Sequence, residues 1–137
     1  MRDRSFRQTG LNSNKDKTRG VTRFRYYGEL LRPELSNLRV LTFAIGRRFL
    51  SASSIDLVYH NYQQVSADTI LRSARIDTPL TGENKDIGDE IDLVIGLEEW
   101  RNWELKFIGS VFLAGDAYGP GAQERAYRAD LQLKYIF

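Results

Sequence analysis

Residues 127–137 constrain this chain more than any other stretch: they read Tyr-Arg-Ala-Asp-Leu-Gln-Leu-Lys-Tyr-Ile-Phe. Tyr127, Ala129, Leu131, Leu133, Tyr135 and Phe137 fall on one set of alternate positions, and Arg128, Asp130, Gln132, Lys134 and Ile136 on the other. Side chains alternate faces along a strand, so this pattern predicts a β-strand with one apolar and one polar face. About ten residues of such alternation is also the span of a tilted transmembrane strand.

The same design recurs upstream. Strands are predicted over 21–27, 38–49, 55–65, 87–98 and 103–113. In 38–49, Leu41, Phe43 and Ile45 oppose Thr42, Ala44 and Gly46. In 55–65, Ile55, Leu57 and Tyr59 oppose Asp56, Val58, His60, Tyr62 and Gln64. The clearest is 87–98, where Ile91, Leu93, Ile95 and Leu97 oppose Glu90, Asp92, Val94, Gly96 and Glu98. In 103–113, Leu105, Phe107, Gly109, Val111 and Leu113 oppose Glu104, Lys106, Ile108, Ser110 and Phe112.

The connections alternate in length. Residues 28–37 (with Pro33), 66–86 (with Pro79 and Gly82) and 114–123 (with Gly115, Gly119, Pro120 and Gly121) read as long loops, and 51–54 and 99–102 as short turns. Short helical turns are open from Pro33 and over 67–74. The expected fold is all-β: an antiparallel up-and-down meander of about six strands, forming a β-barrel or part of one. Residues 21–137 make that one domain. Residues 1–20 read as a basic flexible arm, six Lys and Arg against two Asp for a net +4 with little to bury.

Composition removes several function classes. A formal charge of +2 over 137 residues implies no strong field for nucleic acid. With no cysteine, disulfides and thiolate metal sites are excluded, and His60, the single histidine, excludes a multi-histidine site. No run approaches the ~18 apolar residues of a membrane helix, and residues 1–20 lack the apolar core of a signal peptide. That lack leaves two expectations: the chain is the tail of a longer exported protein, or it is not a membrane protein as it stands. No cofactor is implied. Asp56 and His60 with a carboxylate of 87–98 lack a placed nucleophile, residues 115–121 lack the Lys-Ser/Thr of a phosphate loop, and Glu98 and Glu99 point to opposite faces, so no enzyme is read.

The aromatic ending, Phe137 with Tyr135 two residues before it, resembles the C-terminal targeting strand of bacterial outer-membrane β-barrels. Residues 27–41 (YGELLRPELSNLRVL), 54–64 (SIDLVYHNYQQ), 86–99 (DIGDEIDLVIGLEE) and 112–119 (FLAGDAYG) resemble the C-terminal part of the alginate export family of outer-membrane proteins. That resemblance implies about the last third of a large barrel in the outer membrane of a Gram-negative bacterium. Its short turns would be periplasmic and its long loops outside. Its basic lumen would pass an anionic polysaccharide or another polar solute. Six strands are fewer than the eight of the smallest membrane barrels, so membership and topology carry over, not a working pore.

On this reading Asp56, His60, Tyr62, Gln64, Glu90, Asp92, Glu104, Lys106, Arg128, Asp130 and Lys134 face the lumen and its solute. Cross-strand ion pairs on a solvated face are the alternative for the same residues. Leu41, Phe43, Ile45, Leu57, Tyr59, Ile91, Leu93, Ile95, Leu105, Phe107, Val111, Leu131, Leu133, Tyr135 and Phe137 face membrane lipid. Trp100 and Trp103 are either interfacial anchors or the cap of a soluble barrel. The rival reading is a stand-alone soluble barrel. Its exposed apolar face would be too large for a monomer, so the sheet would curl with that face inward around a bound fatty acid or other lipid, or self-associate.

Overall fold

Where the sequence alternates, the backbone runs extended. The computed structural model describes residues 15–17, 19–122 and 124–137. A two-residue pair, β1 (Lys15–Asp16) and β2 (Phe24–Arg25), forms a small antiparallel ladder of its own. Five long strands then follow: β3 (Leu38–Phe49), β4 (Ser53–Gln64), β5 (Asp86–Trp100), β6 (Trp103–Ala114) and β7 (Arg125–Tyr135). They pair in sequence order as an antiparallel meander, so β3 and β7 are the open edges. The antiparallel meander expected above is this one: an all-β wall whose short turns lie at one end and whose long connections lie at the other.

The register carries each face across the whole sheet. Phe43, Tyr59, Ile91, Val111 and Tyr127 form one continuous row, and Ile45, Leu57, Leu93, Gly109 and Ala129 the next. On the other face the rows are Thr42, His60, Glu90, Phe112 and Ala126, then Ala44, Val58, Asp92, Ser110 and Arg128. A slip of one residue in any strand would mix the two sets, so the register follows from the alternation.

The core lies on the face that carries the charges. Phe24 packs there against Val58, Val94 and Ile108, each at most 5% exposed. At the long-loop end Leu30, Leu31, Tyr62, Leu80, Ile87, Phe112, Ala117 and Tyr118 form a second cluster. Each fully buried side chain of this size is worth about 1.5–3 kcal/mol. The three long connections tie into it through their backbones: Glu34 N–H donates to Arg72, Arg75 N–H to Leu31 and Thr81 N–H to Ala117, at 3.0, 2.9 and 2.8 Å.

Several expectations are corrected. The strand read over 21–27 is reduced to Phe24–Arg25 and stands outside the main sheet; its chain lies across the inner face instead, where Val21 and Phe24 are buried. No helix forms over 67–74 or from Pro33; a 3-10 turn at Asp116–Tyr118, inside a loop read as exposed, buries Ala117 and Tyr118. Of the arm read over 1–20, residues 1–14 and 18 lie outside the described residues, and Lys15–Asp16 is paired. The inward-curled barrel with a lipid in an apolar interior is overturned. Glu90 and Asp92 are 0% exposed, while Phe43, Ile45 and Leu131 are 61%, 74% and 72% exposed, so the apolar face is the outside.

Gly28 sits where the inner chain crosses Tyr62 and Glu90, with φ of 94°, and a Cβ there would strike the Tyr62 hydroxyl. Gly28→Ala is expected to destabilise the fold by about 1–3 kcal/mol from backbone strain alone. Urea unfolding in detergent measures it; an unchanged midpoint would refute the crossing geometry.

Candidate functional site

The charged face is covered by residues 19–37, which climb from the short-turn end to the long-loop end. At the lower end Arg48 Nε donates to the Arg19 carbonyl at 2.8 Å, and Val21 N–H donates to Ser54 Oγ at 2.8 Å. Gly96 has no Cβ, which lets Val21 and Thr22 lie directly on β5. Lys106 Nζ donates to the Arg23 carbonyl at 2.6 Å, and Thr42 Oγ1 to the Tyr26 carbonyl at 3.0 Å.

Above this point the sheet's carboxylates take over. Glu29 N–H donates to Asp92 Oδ2 at 3.1 Å. Leu30 N–H and Leu31 N–H donate to the two oxygens of Glu90 at 2.6 and 2.9 Å. The Tyr62 hydroxyl donates to the Tyr27 carbonyl at 2.9 Å and lies 3.2 Å from Glu90 Oε2. Three consecutive backbone donors thus meet two buried acids. Such charge-assisted bonds are the strong kind, and a buried carboxylate without them is costly.

Glu29 is itself buried, 1% exposed, and gathers cations. Its Oε1 accepts Arg25 N–H at 2.9 Å, and its Oε2 lies 3.2 Å from an Arg32 terminal nitrogen and 3.8 Å from Arg25 Nε. Its carbonyl accepts Arg32 Nε at 2.9 Å and Arg128 at 3.2 Å. Burial pushes the Arg32 guanidinium below the ordinary arginine value; Arg25 and Arg128 push the same way and Glu29 opposes them.

The residues singled out from sequence separate into three groups. Asp56, His60, Tyr62, Gln64, Glu90 and Asp92, on β4 and β5, are all buried under the crossing segment or the loops; Gln64 holds Asp68 N–H and the Ile70 carbonyl. Glu104, Lys106, Arg128, Asp130 and Lys134, on β6 and β7, stay partly or fully accessible. Lys134 pairs with Glu104 at 3.2 Å, and Arg128 with Asp130. Two clefts open beside them. One of about 250 Å³ has Lys15, Glu29, Arg32, Lys106, Asp130 and Gln132 in its wall; the other, about 510 Å³, has Lys17, Arg23, Glu98, Glu104 and Lys134.

The apolar set occupies the outer face. Leu41, Phe43, Ile45, Leu57, Ile91, Leu131, Leu133, Tyr135 and Phe137 are exposed, and Tyr59, Leu93, Ile95, Leu105, Phe107 and Val111 are half-buried among them. Trp103, Tyr135 and Phe137 pack edge to edge at the short-turn end, with centroids 4.8 and 4.9 Å apart. Phe43 and Tyr59 stack at 6.5 Å at mid-strand.

His60 lies 2.9 Å from Thr42 Oγ1 and 3.3 Å from Asp92 Oδ2. This hydroxyl–imidazole–carboxylate line is spoken for: the Thr42 hydroxyl donates to Tyr26, and His60 and Asp92 are fully buried. Among the described residues no group of three or more His, Cys, Asp or Glu is placed to hold a metal. Sequence reasoning missed Arg25, Glu29 and Arg32. Their signal was present, an acid four residues after one arginine and three before another, but it straddled the strand read over 21–27 and the loop read over 28–37.

The carboxylate clamp makes a graded prediction. Glu90→Gln keeps an acceptor and is expected to cost about 1–2 kcal/mol. Glu90→Leu strands two buried N–H groups, at about 1–3 kcal/mol each. Trypsin should cut after Arg23 and Arg25 faster in that order; equal rates in all three proteins would refute the clamp.

Comparison with known proteins agrees with this geometry. The family model described as Alginate export matches residues 2–131. The alginate production protein AlgE of Pseudomonas aeruginosa is 32% identical over 150 aligned positions, covering 98% of this chain and 31% of that protein. The protein of the same name from Azotobacter vinelandii is 35% identical, over 96% of this chain and 32% of its own length. That from Pseudomonas syringae pv. tomato is 25% identical, over 95% and 32%. The chain therefore spans about a third of the length of these relatives. A five-stranded wall with an apolar outside and a charged inside, matched along nearly its whole length by one family model, belongs to the alginate export family.

Proposed function

We propose that this chain is a run of wall in an outer-membrane β-barrel of a Gram-negative bacterium, through which an acidic polysaccharide or a related polar solute is exported. The outward set, from Leu41 to Phe137, meets lipid. The inward set meets the lumen: Glu104, Lys106, Arg128, Asp130 and Lys134 line its accessible part, Tyr62, Glu90 and Asp92 hold the segment that narrows it, Asp56 and His60 are buried on the same face, and Gln64 holds the 66–86 loop.

One observation carries the reading, the outer apolar band. On β6 it runs from Trp103 to Leu113, ten residue steps or about 34 Å along the strand at ~3.4 Å per step. Tilted by ~40°, that is about 26 Å, close to the ~25 Å apolar belt of such barrels. Aromatic residues gather at the short-turn end of the band, as at a membrane interface: Trp100, Trp103, Tyr135 and Phe137; Tyr127 stands near the other end of β7, and Phe43 and Tyr59 lie at mid-strand. The names of the relatives support alginate as the solute. The cations beside the clefts supply the matching charge.

A chimaera tests passage. This chain, replacing the matching third of the Pseudomonas aeruginosa relative, should restore alginate secretion to cells lacking that protein. Normal insertion without secretion would overturn the reading.

The lipid face is tested in the same chimaera. Leu93→Arg at the middle of the band should cost about 2–4 kcal/mol and lower the outer-membrane yield, whereas Gln132→Arg on the inner face should not. Deleting Phe137 should also reduce insertion while leaving the inner face intact. Membrane fractionation reads both; yields equal to the parent would refute the assignments.

A further inference from the structure

The proposed passage of an acidic polysaccharide raises a question about Glu29. A buried carboxylate in a lumen meant for carboxylates competes with the cargo for the same cations. Its oxygens hold Arg32 at 3.2 Å and the Arg25 backbone N–H at 2.9 Å. It does not sit on the wall. It sits on the segment laid across the wall, and that segment is attached there through hydrogen bonds rather than through a strand ladder. The cleft of about 250 Å³ opens directly beside it, with Lys15, Arg32 and Lys106 outnumbering Glu29 and Asp130 in its wall. A planar carboxylate arriving in that cleft presents to Arg32 the same two oxygens that Glu29 now presents.

We propose that Glu29 is a built-in stand-in for the cargo: it occupies the Arg25–Arg32 guanidinium pair in the absence of solute, and a uronate carboxylate entering the adjoining cleft exchanges with it. This rests on the polysaccharide reading above and adds to it a residue that sets affinity. The exchange moves no proton and breaks no covalent bond; one ion pair replaces another of the same kind. It lets the arginines stay paired when the lumen is empty, where an unpaired buried guanidinium would be costly. It also keeps the net affinity for each sugar low enough for the chain to move on. Affinity is then a difference between two carboxylates, not the full strength of one.

The test uses the chimaera described above, which contains all 137 residues, as the parent protein in detergent micelles, titrated calorimetrically with short alginate oligomers and, for comparison, neutral dextran oligomers of equal length. Glu29→Gln has the same size and can still accept the Arg25 N–H. It should bind alginate oligomers about three- to tenfold more tightly than the parent, with dextran unchanged, and Arg32→Gln should bind them more weakly. In the parent labelled with carbon-13 glutamate, the Glu29 carboxyl resonance, identified by its loss in Glu29→Gln, should shift on saturation with alginate oligomer. If the parent binds and Arg32→Gln weakens binding, but Glu29→Gln binds no more tightly and the resonance does not shift, the stand-in role is overturned while the passage reading survives. If no form prefers alginate to dextran, both fall.

Discussion

Glu90 and Asp92 lie on a strand face with no exposure to water, and an unpaired carboxylate there would be costly. Three successive backbone N–H groups, of Glu29, Leu30 and Leu31, donate to Asp92 Oδ2 and to both oxygens of Glu90. The dependence is mutual, because the segment makes only a two-residue ladder and needs acceptors from elsewhere. Much else follows from this contact. Gly28 has to be a glycine to pass Tyr62, Phe24 is delivered onto Val58 and Val94, and Leu30 and Leu31 are placed in the cluster at the long-loop end. The wall and the chain across it are one unit held by polar groups that neither could bury alone.

The outer face obeys the opposite solvent. Rows of Phe, Ile, Leu and Tyr run across all five strands with none of the described residues laid over them, and their register keeps most charges on the other side; on the outer face Arg39, Arg47, Asp89 and Arg125 stand toward the strand ends. In water such a face would drive curling or aggregation; against hydrocarbon it is the low-energy surface. Hydrocarbon also forbids the bare edges of β3 and β7, whose N–H and C=O groups would have no partner there. The relatives are about three times as long as this chain, length enough for the strands that would cover both edges in a closed barrel.

The β6–β7 side differs from the β4–β5 side in how its charges are used. On β4 and β5 they are consumed by the fold, each tied to a backbone group or to a neighbour. On β6 and β7, Lys106, Arg128 and Lys134 make contacts yet border open space. The accessible cations of β6 and β7 therefore form a flank next to the arginines that Glu29 gathers. A polyanion would meet that flank, and long-range attraction would act there first.

Period-two alternation determined the five long strands, their antiparallel order and the two faces. A two-residue repeat leaves little freedom once one face must be apolar, and the short turns force sequential neighbours to pair. It also determined that residues such as Ile91 and Glu90 are on opposite sides. It did not determine which side is covered. Alternation is symmetric between a sheet curled around its apolar face and one curled around its polar face, and the rival inward-facing barrel came from that symmetry. The tertiary structure broke it by placing residues 19–37 on the charged face, through hydrogen bonds between groups about sixty positions apart. The same separation hid the roles of Glu29 and the short β2. Both sit in stretches without a regular repeat, and their partners are set by where the backbone of one segment crosses the side chains of another, which no local pattern encodes.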